Sequence, residues 1–326
     1  MTDKIVSYYA HIFSTLKQDK SKGAAPHKPI LLLSIIQEYK CGRIIGNKIF
    51  ITPELTNTFS EVWNQLVLTG HQKRFALPFS HMRNEKGAWW KLVANPGCEL
   101  WIENADSMRS FNNLTAAVAY ARLDENLAAL LQDEATRIFF QELILRTYFP
   151  GQSYSFSDSS NGYISDLENE ILQESPAEYK LKITGLKQKA DPETYQIEIY
   201  NLGTVFRREI IKIYLEACCI SQLRVSATST ITMVDACHIK PFATSFDNTL
   251  NNGIALCPNL HRAFDRGIIA IDDSYRVLLS TTFKENTNSI YSLHQVQGIE
   301  LAKPNNLRFL PSLEAFAWHR SNIFRK

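Results

Sequence analysis

The stretch from Val234 to Ile271, VDACHIKPFATSFDNTLNNGIALCPNLHRAFDRGIIAI, constrains this chain more than any other, because it sets groups able to do chemistry in a fixed order. His238, Asn252, His261 and Asp265 follow one another at intervals of 14, 9 and 4 residues. Thr230 to Ile239 alternates apolar residues and reads as a strand, which Pro241 ends because proline has no N–H to donate. Ser245 to Gly253 is rich in Asn, Asp and Gly and reads as a loop, followed by a short second strand at Ile254 to Leu256. Pro258 and Asn259 open a helix predicted to run to Asp265, with Gly267 as its stop. On that helix His261 and Asp265 are i and i+4 and share a face. An imidazole and a carboxylate converging in this way suit Mg²⁺, Mn²⁺, Ni²⁺ or Zn²⁺, according to the remaining ligands.

The order DACHIKP, then NNGIALCPNLHRAFDRG, then an aliphatic strand at Ile268 to Ile271, resembles the HNH nuclease family, whose ββα-metal core has a first His, a middle Asn and a last His. A single histidine at a strand end is more often a hydrogen-bonded residue than a catalyst, so it is the combination that carries the reading. The resemblance implies that His238 is the general base and that Asn252 ties down the loop beside it. His261, with Asp265, would hold one divalent metal on the scissile phosphate. The residue before the base is often a further ligand in that family, and here it is Cys237, a departure, since a thiolate favours a softer ion than Mg²⁺. Asp235, two residues earlier on the same side of the strand, is expected to serve in place of the thiol. Many relatives also carry paired CxxC motifs for a structural zinc. Here Cys257 is followed at the matching place by Leu260, so no zinc ribbon is expected.

At 326 residues the chain is long enough for two domains, each with its own core, and 45% hydrophobic with 21% charged residues is a globular balance. A net charge of +2 neither demands nor excludes nucleic acid. Six cysteines occur without a periodic framework, and MTDKIVSYYAHIF is charged early with no long apolar run. The chain is therefore expected to be cytoplasmic, with reduced thiols and no membrane span.

Ahead of the nuclease-like segment, apolar periodicity predicts a helix over residues 3–18, a buried helix from Pro29 stopped by Gly42, and a helix capped by Thr52 with Pro53 at its first position. FALPFSHMRNEKGAWWKLV reads as two short strands around a turn at Asn84 to Gly87, with His81 and Arg83 on one face. Residues 124–148 read as two helices broken near Asp133. The order APHKPILLL, ITPEL, LPFSHMRNEKGAWWKL and a late YARLDENLAALLQDEATRIFFQELILRTYFPG resembles the sulfur-binding domain of restriction enzymes that attack phosphorothioate-modified DNA. The resemblance covers about residues 5–151 and rests on short apolar motifs. It implies a nonpolar cavity at Leu77 and Pro78 for the sulfur, flanked by His27 and Lys28 for the phosphate. The strand face adds His81 and Arg83 as DNA contacts.

The serine-rich run Gly151 to Asn161 reads as a linker, followed by a short helix at Ile164 to Gln173. Residues 179–200 read as two strands, and 203–217 as a helix with Arg208 and Lys212 on its outer face as phosphate contacts. Ala217 to Gln222 is expected to pair with Thr230 to Ile239 as the hairpin carrying His238. A closing helix would pack through Phe316, Trp318 and Ile323. The expected whole is α+β: a mostly helical DNA-reading domain at 1–151, a linker and connecting hairpin at 152–200, and a ββα-metal nuclease domain at 201–326. Its substrate would be double-stranded DNA carrying a phosphorothioate, and a homodimer is compatible with this plan. The rival readings are an HNH restriction enzyme that reads another modification or a plain sequence, and a DNA-binding module with a decayed metal site.

Overall fold

The computed structural model describes residues 2–21, 23–104, 108–152, 154, 160–225 and 232–326. The chain divides into two compact units, one of residues 1–164 with 191–198 and the other of 165–190 with 199–326.

In the first unit, α1 (Thr2–Ser14), α2 (His27–Lys40), β1 (Lys48–Ile49), α3 (Pro53–Leu66), α4 (Ala76–His81) and β2 (Trp90–Ala94) lead to α5 (Glu99–Glu103) and α6 (Phe111–Ala117). After these come β3 (Val118–Leu123), α7 (Glu125–Gln132) and α8 (Glu134–Tyr148). The expected Thr52 cap is present, accepting the Leu55 N–H, and the expected break falls at Asp133, which ends α7 and accepts the Thr136 N–H at the start of α8. α2 is the core helix, as its apolar circumference requires; it packs against α3, α4, α7 and α8. The strands form an antiparallel sheet in the order β1-β3-β2.

One expectation here is corrected. Residues 76–81 are the helix α4, continued by a 3-10 turn at Met82–Asn84, and not a strand. Phe75 and Phe79 are i and i+4, both buried and stacked at 5.6 Å, which a helix satisfies and a strand would not. Pro78 sits in the first turn, where a missing N–H costs nothing. The buried Glu193 carboxylate accepts the Phe75 and Ala76 N–H groups at 2.7 and 3.1 Å and pairs with Arg74 at 3.1 Å, so a distant residue caps this helix.

The following helices are α9 (Ser160–Gln173), α10 (Pro176–Lys189) and α11 (Pro192–Ile213). Most of the serine-rich run, Ser153 and 155–159, lies outside the described residues. The hairpin expected over 179–200 is corrected to α10 and the start of α11. Ser175 and Glu178 form a capping box with Pro176 at the first position. Tyr179 and Ile183 are buried one turn apart, while Leu181, which a strand would bury with them, is 74% exposed. α11 starts earlier and ends earlier than the sequence suggested, because Leu215 and Glu216 both take positive φ just beyond it.

The second unit continues with β4 (Asp235–His238), α12 (Phe242–Ser245), β5 (Gly253–Leu256), α13 (Pro258–Asp265), β6 (Ile269–Ile271), β7 (Val277–Leu279) and α14 (Leu313–Asn322). β4 pairs antiparallel with β5, and β6 with β7. The partner of the base-bearing strand is thus β5. Ala217 instead bridges Arg224, and Thr230, the first residue of the expected strand, lies outside the described residues. α14 buries Phe316 as expected, but its other large buried side chain is His319, whose ring stacks on Phe264 of α13 at 3.8 Å and whose Nε2 lies 3.0 Å from the Phe264 carbonyl. Trp318 and Ile323 are half-buried. No helix among the described residues is long and apolar enough to cross a membrane.

Candidate active site

The site is built on β4, β5 and α13. The antiparallel register sets His238 opposite Gly253 and Cys237 opposite Ile254. A side chain at Gly253 would collide with Ile210 and come within 2.7 Å of the Phe206 ring, so glycine is what lets α11 press against the hairpin. The result is that Phe206 stacks flat on the His238 imidazole, with centroids 4.1 Å apart and planes at 12°. Burial lowers the His238 pKa, opposed by the Asn248 hydrogen bond and the Asp247 charge, while Arg207 and His261 act in the same direction as burial. His238 is therefore a neutral imidazole at pH 7.

Asn248 decides which nitrogen is available. Its Oδ1 lies 2.8 Å from His238 Nε2, and its own Nδ2 donates to the Tyr179 hydroxyl at 3.0 Å. With Oδ1 as acceptor, Nε2 carries the proton and Nδ1 keeps the lone pair. Asn252, 2% exposed, accepts the Lys240 N–H at 2.8 Å and donates to the Lys240 and Asp247 carbonyls, both at 3.0 Å. It closes the loop between β4 and β5 on itself.

On the metal side, ligand atoms of Cys237, His261 and Asp265 lie within 4.8 Å of one another, the one such group among the described residues. Cys237 is fully buried, with Sγ 3.8 Å from Asp265 Oδ1. His261 Nε2 is 3.4 Å from Asp265 Oδ2, and Nδ1 is 3.4 Å from Asp235 Oδ2. Asp235 thus stands on the opposite edge of the His261 ring from Asp265. One thiol, one imidazole nitrogen and one carboxylate from a strand and a helix make a donor set able to hold a divalent ion. Ser221 lies between Cys218 and Cys257 and donates to their sulfurs, through its N–H at 3.4 Å and its hydroxyl at 3.8 Å.

In the first unit, His27, Lys28, Leu77, Pro78 and His81 line one cleft of about 270 Å³, together with Lys17 and His71 among others. Their chemistry differs in part from the expectation. Lys28 is ion-paired with Glu85, which is 3% exposed, so its charge is already matched. His27 Nε2 meets the Gln72 carbonyl at 2.8 Å, its ring packs on Trp63, and burial lowers its pKa, so it is a neutral donor rather than a cation. Arg83 does not share a face with His81: its guanidinium is turned to the Ile102 carbonyl, a consequence of the helix and 3-10 turn that replace the expected strand. On α11, Lys212 pairs with Glu209 at 3.1 Å and Arg208 is exposed. Arg207, which sequence reading passed over, is the α11 cation that acts on His238. Asn248 and Tyr179 were also missed, since nothing in a lone Asn of a polar loop marks it as the partner of a histidine ten residues away.

Comparison with curated proteins gives no match. Among solved structures, the chain is similar to a "Modification dependent TagI restriction endonuclease", with 19% identity and a TM-score of 0.29 over 36% of this chain and 37% of that one, little more than a third of that chain's length. Residues 218–272 match a family described as HNH endonuclease. That match takes in the whole of β4, β5 and α13, so the C-terminal unit carries an HNH endonuclease domain at residues 218–272.

Proposed function

We propose that the protein is a metal-dependent restriction endonuclease that reads phosphorothioate-modified double-stranded DNA through its N-terminal unit and hydrolyses a phosphodiester with its HNH domain. The observation that carries the cutting half is that a neutral His238, with Nε2 engaged by Asn248, directly follows Cys237 of the donor set completed by His261 and Asp265 of α13. His238 Nδ1 takes the proton of the attacking water, a contribution of about 10² to 10⁴-fold. The Phe206 face and Asn248 hold the ring in place as it becomes charged, and Asn252 keeps the loop from reopening. His261, Asp265 and Cys237 would hold the metal, whose positive charge favours the charge that develops on the phosphate oxygens.

The reading half is supported by the cleft at Leu77 and Pro78. Sulfur in place of a non-bridging oxygen is larger, softer and a poorer hydrogen-bond acceptor, so a nonpolar wall favours it. With Lys28 matched by Glu85, the phosphate charge falls to Lys17, whose ammonium keeps donors beyond its bond to the Asn84 carbonyl. The Lys28–Glu85 pair also favours a second reading, in which this unit recognises another modification or a plain sequence. Matched duplexes, plain, base-methylated and carrying one phosphorothioate of either stereochemistry, separate the two. Preference for one sulfur stereoisomer by about 10 to 200-fold is expected, the worth of one atom in an apolar pocket. Equal affinity for all duplexes across several flanking sequences removes the sulfur reading.

A further inference from the structure

Building on the nuclease reading, we infer that Cys237 is a direct ligand and that the site selects a thiophilic divalent ion of the Zn²⁺ or Co²⁺ kind over Mg²⁺, with Asp235 positioning His261 rather than binding the ion. Three observations carry this. The Cys237 sulfur is fully buried, faces Asp265 and lies inside the cluster with His261 and Asp265. In the free protein the buried thiol has only weak S–H partners, the His238 carbonyl at 3.6 Å and Asp265 Oδ1 at 3.8 Å, and one proton serves both. A divalent ion between the thiol and the Asp265 carboxylate would satisfy both groups, and the thiol proton would leave to solvent as the thiolate binds.

Asp235 has different geometry. Its carboxylate meets His261 Nδ1, while Nε2 faces Asp265. A carboxylate on one ring nitrogen fixes the tautomer that offers the other nitrogen to an ion and makes it a better donor. Asp235 and Cys237 lie on the same side of β4, so the strand supplies both the ligand and the group that aims the second ligand. Sulfur, nitrogen and oxygen together form a borderline-to-soft set, whereas Mg²⁺ requires oxygen ligands in near-octahedral array.

The test is spectroscopic and needs no DNA. Co²⁺ added to the reduced full-length protein, freed of metal, should develop a near-ultraviolet sulfur-to-cobalt charge-transfer band. Cys237→Ser and Cys237→Asp should abolish the band yet still bind Co²⁺ through His261, and Mg²⁺ should displace Co²⁺ from the Asp variant far more readily than from wild type. Asp235→Asn should keep the band with affinity weakened about 10 to 100-fold. A Cys218→Ser, Cys257→Ser double variant should keep the band, separating it from the thiols around Ser221. A wild-type complex with no such band, or a band that survives Cys237→Ser and vanishes in the double variant, overturns the assignment. Because binding and cutting are read separately, loss of cleavage with the band intact would instead count against the nuclease reading.

Discussion

Asn248 Oδ1 sits 2.8 Å from His238 Nε2, and this one hydrogen bond leaves Nδ1 as the nitrogen that can take a proton. Because burial holds the His238 pKa below 6.5, the base is free at neutral pH, and cleavage should fall only as acid protonates it. Asn248→Asp places a carboxylate on Nε2, favours the charged ring, and should move the acid limb of the kcat/KM profile to higher pH. Asn248→Ala should lower cleavage by up to about 10²-fold through loss of ring orientation, with DNA affinity kept. A pH profile unchanged in the Asp variant would contradict the tautomer assigned to His238.

The Lys28–Glu85 pair should behave as a structural lock. Lys28→Met leaves a 3% exposed carboxylate without its cation, a loss of about 3–5 kcal/mol, softened by the Lys17 backbone N–H that also reaches Glu85. The Lys28→Met, Glu85→Leu double variant should recover most of that stability in urea unfolding. A single variant that melts like wild type but binds all DNA more weakly would return Lys28 to the role of phosphate contact.

His319 is buried and His27 half-buried, and desolvation lowers both pKa values from 6.5. The unfolded chain therefore takes up protons first as the pH falls. Their contribution to stability is complete above pH 6.5 and is lost as the pH drops through the folded values. Melting should show a decline below pH 6.5 that is shallower in His319→Phe. His319→Ala should cost about 3–5 kcal/mol, since it empties the contact between α14 and α13.

A fragment ending near Gly151 should fold less well than the full chain. It lacks Glu193, and the buried Phe75 and Ala76 N–H groups then lose their acceptor. Glu193→Ala in the full chain should reproduce part of that loss. Equal stability of the Ala variant and wild type by urea titration would show that the cap is dispensable.

The nuclease core was legible because its information is local. Pro241, Pro258 and Gly267 bound the elements, and i, i+4 spacing alone puts His261 and Asp265 on one face. The misread segments are those in which distant groups decide. α4 takes its cap from Glu193, more than a hundred residues away, and a helix start with a proline in its first turn looks like a strand from inside. In α10, alternating Tyr179, Leu181 and Ile183 imitates a strand, and only burial shows that Leu181 faces out. Asn248 was invisible because a loop residue gains its role from Tyr179 on another element. The roles of Cys237 and Asp235 are the least local part of the site: hardness favours the carboxylate, while the fold groups the thiol with His261 and Asp265 and sets Asp235 at Nδ1 of His261.

The most direct measurement compares wild type with His238→Ala in supercoiled-plasmid nicking with Mn²⁺ or Co²⁺, alongside equilibrium binding to the same DNA. The account predicts that the variant cuts at least about 10²-fold more slowly while binding DNA as wild type does, since the base acts on water and makes little contact with the ground state. Cutting by the variant at more than about a tenth of the wild-type rate, outside that usual effect of a general base, would contradict His238 as the base and with it the site built here.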